Sequence, residues 1–376
     1  MSAKGSRPVV VGDVEKVLNE LAPPSLAQSW DNVGLLAGDR KSVCKKVLLC
    51  IDLSPAVLDE AIAGRCEFVF AYHPPIFRPI GRLVADAEGT ESIVYRAIAA
   101  GVAVYSSHTA LDAAPGGTND VLAARCGLGE VEPFEYVTAG RPQCKVTTFV
   151  PEAHLEQVAQ ALFAAGAGRI GDYEQCSYRL RGEGTFFGTE GTHPRIGRKG
   201  RLERVSEVRL EMVAPQDRLA EVVAALRRSH PYEEPAFDVY PLLGEPVRGI
   251  GRVGTLPAGT TLGGLYARLV RATGSKVAVR VGAAGTRVRQ AAVCAGAAGR
   301  LPFEKARAAT CDVIVTGEIR HHDALAILRN GKTAIALGHW ESERPVLEPL
   351  GRRLKKQLPA LRVKVSRADT GPLMSS

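Results

Sequence analysis

Two stretches of this chain, one near each end, repeat the same beat: a short β-branched run, an amphipathic segment of about ten residues, then another short run. From residue 46 the segments KVLLCIDLS, PAVLDEAIAG, CEFVFAYHP, ESIVYRAIAAG, VAVYSSHT and TNDVLAARCGL follow one another. Late in the chain RQAAVCAG, LPFEKARAAT, CDVIVTGEI, HDALAILRNG, KTAIALGH and RPVLEPLGRRLKKQL do the same. A strand buried on both faces needs an unbroken apolar run, and a crossover helix needs one apolar stripe. The alternation therefore predicts βαβ units and largely parallel sheets, with the two ends as related α/β halves of one domain.

Residues 143–244 have a different texture. CKVTTFVP, a helix in EAHLEQVAQALFAAG, a strand pair within QCSYRLRGEGTFFG, a Gly-rich loop, SEVRLEMVAP, a helix in QDRLAEVVAALRRSH and AFDVYPLL come in that order. Two βαβ-like passages with a hairpin-like middle predict a ferredoxin-like α+β arrangement, inserted into a loop of the outer domain. The expected division is 1–142, first half; 143–244, insert; 245–376, second half. The tail SRADTGPLMSS lacks periodicity and is expected to fray.

Composition narrows the function classes. With 45% hydrophobic and 23% charged residues over 376 positions, the chain reads as an ordinary globular protein of two or three domains. The net charge of +8 is dispersed through IGRKGRLERVSEVRLE, ALRRSH and GRRLKKQL among acids and apolar residues. Such dispersion argues against nucleic acid and for solubility, or for a small phosphorylated or nucleotide ligand. Eight cysteines include no C-x-x-C pair, and several sit in apolar runs such as VLLCI, QAAVCAG and AATCDVIV, as buried thiols do in a reducing compartment. No secretory pattern and no membrane-length apolar run are present, so the expected location is the cytoplasm.

Polar residues recur at the ends of the apolar runs. Tyr72 and His73 end EFVFAYH, and His108 ends VAVYSSH with Asp112 one turn on. Glu318, His321 and His322 follow DVIVTG, while His339 and Glu343 follow TAIALG. Ligands of open parallel sheets bind beyond the carboxyl ends of the strands, so these residues are expected to share one sheet edge. Each alone has a plainer explanation: a turn at Pro74-Pro75 for His73, a helix entry for His108, a turn for Asp112, and the helix dipole for Glu343. Taken together, imidazole and carboxylate without thiolate suit Zn²⁺, Fe²⁺ or Mn²⁺, with metal-activated water as the reactive group. In CAGAAGR, Gly296 and Gly299 could turn backbone N–H groups toward a phosphate, although the stretch lacks the Lys-Ser/Thr of a P-loop and a plain tight turn explains it more readily. Cys294 beside them reads as a core thiol, and the group-rich SHPYEEPAFDVYPL as a rigid connection.

SWDNVGLLAGD, AYHPPIF, SSHTALDAAPGGTNDVLA, VTGEIRHHDAL and GHWESE together resemble the Nif-three-like family, also called GTP cyclohydrolase I type 2 homologs. GAGRIGDY, CSYRLRGEGTFF and HPYEEPAFDVYPL resemble the PII-like domain inserted in its longer members. The resemblance implies a two-lobed α/β fold around two divalent ions and a toroidal hexamer. His73 and Asp112 would hold one ion, His339 the other, and Glu343 would bridge both. Tyr72 stands where many members carry a histidine, which implies partial filling of the second position by a weaker phenol donor. His108, Glu318, His321 and His322 would then support the ligands or touch substrate. The family name implies hydrolytic opening of the guanine imidazole ring of GTP. The alternative is a non-catalytic, metal-binding regulatory hexamer that meets partners through the insert.

Overall fold

The computed structural model describes residues 7–87, 89–136, 142–242 and 249–373. The chain forms two compact units, one of Met1–Val137 with Glu245–Ser376 and one of Thr138–Gly244. In the first unit, strands alternate with helices along both of its sequence segments.

A five-stranded sheet has the order Gly34–Ala37, Ala103–Ser106, Phe68–Ala71, Lys46–Cys50, Arg362–Val365. All its pairings are parallel except that of the Gly34–Ala37 edge. A six-stranded sheet runs Val279–Val281, Thr333–Ala336, Val313–Thr316, Gln290–Cys294, Arg252–Thr255, Gly129–Glu132. Its three central strands are parallel and the outer ones antiparallel. FVFA, AVYS, VIVT and TAIA are buried at every position, because helices cover both faces of these central strands. GEVE at one edge is exposed throughout. Helix ends follow the local chemistry: Ser54 accepts from Val57 N ahead of Pro55–Ala63, and Thr261 accepts from Gly264 N ahead of Leu262–Thr273.

The polar residues expected on one edge therefore divide between two sheets, and each sheet borrows an edge strand from the other end of the chain. Arg362–Val365 pairs with Lys46–Cys50, and Gly129–Glu132 pairs with Arg252–Thr255. Two buried polar side chains fasten the sequence ends together. Arg252, 2% exposed, donates to both oxygens of Asp120 and to the carbonyls of Gly249, Gly251 and Ala114. Asn119 donates to Asp112 O and accepts from Ala295 N.

The tail expected to fray is docked through Asp369. Ser366 N donates to Leu49 O, and Ser366 Oγ donates to Glu60. Asp369, 3% exposed, accepts from Ile51 N, Trp340 Nε1 and Arg344 Nη1. The tail's eleven residues carry too little period to announce these long-range bonds. Residues 374–376 of that tail lie outside the described residues.

The second unit is an antiparallel sheet ordered Phe237–Pro241, Gln143–Pro151, Leu202–Pro215, Tyr178–Phe187. QCSYRLRGEGTFFG holds a single ten-residue strand rather than two, and it pairs with Leu202–Pro215. Helices Leu155–Ala164 and Leu219–Ser229 pack Val158, Leu162, Val222 and Leu226 against Val146, Val150, Leu210 and Met212. Alternate residues of the strands face the helices and the remainder form the opposite face. Among the described residues no helix is long and apolar enough to cross a membrane.

Candidate metal centre

The site begins where buried strands stop. Beyond Phe68–Ala71, Tyr72 N and His73 N continue the ladder onto Cys50 O and Ile51 O. Beyond Thr333–Ala336, Leu337 N and Gly338 N bond Thr316 O and Gly317 O. Gly338 has φ 96°, and a Cβ there would lie 2.1 Å from Glu341 Oε2, so only glycine allows this entry into the helix His339–Glu343. One helical turn then puts His339 and Glu343 on the same face.

His73, His339 and Glu343 offer ligand atoms that all lie within 4.8 Å of one another. The arrangement is nearly symmetric about the carboxylate. His73 Nε2 lies 3.3 Å from Glu343 Oε2, and His339 Nε2 lies 3.2 Å from Glu343 Oε1. The other ring nitrogen of each histidine meets a further carboxylate: His73 Nδ1 to Asp52 at 2.9 Å, His339 Nδ1 to Glu318 at 2.7 Å. A carboxylate on Nδ1 fixes ring orientation and makes Nε2 a better donor to a cation.

Electrostatics point the same way. Burial alone would depress His73, but Asp52 and Glu343 outweigh it and raise its pKa to about 10. Glu343 raises His339 to about 9 against burial, with Glu318 adding to it. Burial pushes the Glu343 carboxyl up, yet the two histidines hold it below its ordinary value. Two positive charges facing one buried carboxylate is a condition that a divalent cation also meets.

The residues fit a metal on two further grounds. Glu343 is 3% exposed, and its Oε2 is buried without a hydrogen-bond donor in line. That oxygen is met only by His73 Nε2 at 3.3 Å, out of hydrogen-bond alignment, which leaves it able to take a closer positive partner. Gly296 also clears space: a Cβ there would fall 2.3 Å from Glu343 Oε1 and 3.3 Å from His339 Nε2. Its N–H is committed to Ser342 Oγ at 2.8 Å rather than turned outward, while a Cβ at Gly299 would meet nothing within 4 Å.

Asp112 and Tyr72 sit beside this group and face each other. The Tyr72 hydroxyl donates to Asp112 Oδ1. Burial, then the charges of Asp112 and Glu343, push the phenol well above its ordinary pKa, which keeps it neutral. Burial also raises Asp112 to about 6, with Glu343 adding to it and the Tyr72 hydrogen bond opposing. His108 packs edge-on to Tyr72 and His73, at ring-centre distances of 5.6 and 5.2 Å. Its φ of 25° is unusual for a side-chain-bearing residue, and Asp31 holds it by accepting from Nδ1 and from Thr109 N. His321 and His322 instead stand exposed at the start of the helix His321–Arg329, ring to ring at 5.4 Å. Burial lifts the Cys294 thiol to about 12, as expected of a core thiol.

A sequence profile of the Duf34/NIF3 family (NGG1p interacting factor 3) matches residues 9–372. The chain belongs to that family. A Mycobacterium tuberculosis protein named GTP cyclohydrolase 1 type 2 homolog is 40% identical over 343 residues, covering 90% of this chain and 89% of the relative. A Bacillus subtilis protein of the same name is 36% identical over 363 residues, 95% and 96% of the two chains. Among solved structures, a Bacillus cereus protein related to NIF3 is 32% identical, with TM-score 0.69 over 99% of this chain and 100% of the other. A Staphylococcus aureus protein is 26% identical, with TM-score 0.78 over the same shares.

Within this Duf34/NIF3 chain, sequence reasoning missed Asp52, Asp31, Asn119 and Asp369, which hold the site without being candidates themselves. Asp52 had a usable signal, since it follows a buried strand at the same place in the beat as His73 and Glu318. Asp369 had none.

Proposed function

We propose that this protein holds two divalent cations around Glu343 and hydrolyses a nucleotide-like substrate, in the manner that the name GTP cyclohydrolase 1 type 2 homolog gives its relatives. The observation that carries the reading is Glu343, buried, with each oxygen set against the Nε2 of a different histidine. A carboxylate so placed would hold divalent cations together with the two imidazoles. His73 with Asp112 would hold one ion and His339 the other. The ions would supply Lewis acidity and a water of lowered pKa.

The chain's own residues do the rest. Asp52 and Glu318 orient the imidazoles, and the Tyr72 hydroxyl donates to Asp112, which stands outside the His73–His339–Glu343 group. His108, fixed by Asp31, is the nearest imidazole outside the triad and is placed to exchange a proton with substrate. Trp30 and Phe77, 58% and 50% exposed, form an edge-on aromatic pair beside His108 and offer a flat ligand a surface. The reading takes the 143–244 unit as the ferredoxin-like, PII-like insert, supported by its strand order and by both helices packing on one face. It takes the assembly as a hexamer, which sedimentation of a 40.0 kDa monomer alone at micromolar concentration would refute.

Elemental analysis of freshly purified protein tests the centre. The parent should carry between about one and two divalent ions per chain, Tyr72→His about two, and Glu343→Ala well under one. Metal-loaded parent should open GTP and Glu343→Ala should not. Equal metal in parent and Glu343→Ala ends this reading. Full metal without turnover of any nucleotide favours the regulatory alternative.

A further inference from the structure

The second unit has a site of its own. Both helices cover one face of its sheet, and on the opposite face lies a cavity of about 610 Å³. Two segments rich in functional groups, RLRGEGTFFG and HPYEEPA, supply much of its wall. Gly182 pairs with Glu207 across the ladder and Gly184 with Val205, so the glycines share a face with Glu207. A Cβ on Gly182 would meet nothing within 4 Å, whereas one on Gly184 would strike Glu207 Oε2 at 2.1 Å. Missing side chains at these two positions therefore make the space and let the carboxylate lie across the strand. Phe149, Phe186 and Tyr232 supply flat apolar walls.

Glu207 is the distinctive group. It is 8% exposed, and the Tyr232 hydroxyl donates to its Oε1 at 2.6 Å. Among the described residues no donor reaches Oε2. None of the lining arginines is paired with Glu207: Arg181 pairs with Glu152, Arg209 Nε lies 2.8 Å from Glu211 Oε1 without hydrogen-bond alignment, and Arg195 is exposed. One carboxylate oxygen is therefore fixed, while the other is open to the cavity and free to accept a charged hydrogen bond from whatever enters it. Aromatic walls favour the same kind of partner through their negative faces.

We propose that this cavity binds a small organic cation with a flat apolar body, its nitrogen donating to Glu207 Oε2. The site is independent of the metal centre, and no bond is made or broken in it.

Isothermal titration of the full-length protein with benzamidine and tyramine tests this, with benzoate as the anion of similar shape. At least one of the two cations should bind saturably, one per chain, and benzoate should not. Glu207→Gln should weaken that binding at least about tenfold, the scale of one lost charged hydrogen bond. Gly182→Leu should abolish it by filling the space, with hydrogen-exchange protection of the strand Gln143–Pro151 equal to the parent's as the check that this unit is folded. Absence of saturable binding by either cation up to millimolar concentration overturns the proposal, as does benzoate binding equal to benzamidine, or undiminished affinity in Glu207→Gln. Tighter binding of arginine amide than of benzamidine would assign the site to a protein side chain and overturn the small-molecule assignment.

Discussion

Each unit buries a glutamate, and the two are treated differently. Glu343 faces two imidazoles, and behind each imidazole stands another carboxylate, Asp52 or Glu318. Among the described residues Glu207 has one donor, the Tyr232 phenol, whose backbone N–H bonds His230 Nδ1, and no further carboxylate stands behind it. A cation of fixed coordination needs donors held to a fraction of an ångström, so its ligands need their own supports. A softer organic ligand needs only a charge and a shaped wall. The difference between the units is therefore in the depth of bracing around similar carboxylates.

The largest test of that contrast removes the brace that ties the metal region to the tail. Asp369→Ala leaves Arg344 Nη1, Trp340 Nε1 and Ile51 N without their acceptor and should cost about 3–4 kcal/mol. Both tryptophans, Trp30 and Trp340, belong to the first unit, so urea unfolding followed by tryptophan fluorescence reports it directly. An unchanged midpoint would show that the tail adds little to the frame around Glu343.

A smaller effect is expected one layer out from the ligands. Asp52→Asn and Glu318→Gln keep size and remove the charge behind His73 and His339. Each should weaken divalent-metal binding by about 10–100-fold, read by competition with a chromophoric chelator. Equal affinity in all three proteins would erase the proposed distinction between a braced and an unbraced carboxylate.

The smallest effect belongs to the second unit. His230 is 5% exposed, and burial lowers its pKa despite a hydrogen bond to Phe149 O. The unfolded chain, with an imidazole near the ordinary value of about 6.5, binds the proton more readily there. This contribution to stability is present above that pH and is lost as pH falls through the folded value. Hydrogen exchange of the strand Gln143–Pro151 should therefore quicken as pH drops below about 6.5, after correction for intrinsic rates, and less so in His230→Asn.

The legible parts of the fold are those with short period. VIVT and TAIA announce buried strands because three consecutive apolar residues beside a β-branched threonine have few other uses, and HWESE places His339 and Glu343 one turn apart. The ten-residue strand Tyr178–Phe187 was harder to read, since its exposed edge position and its glycines break the expected alternation. At the site, strand ends pointed to His73, Glu318 and His339, yet the same cue marked His321 and His322, which turn to the surface.

By itself the sequence determined the rhythm of strands and helices, the texture change at 143–244, and the identity of the imidazoles and the carboxylate at strand ends. Those properties are set by neighbours within a turn or two of chain. Tertiary structure alone decided that two sheets would exchange edge strands, that Asp52 would stand behind His73, and that Asp369 would reach Ile51 N across 318 positions. The physical reason is that a hydrogen bond depends on distance in space, and the backbone's local period carries no record of which remote oxygen will arrive there.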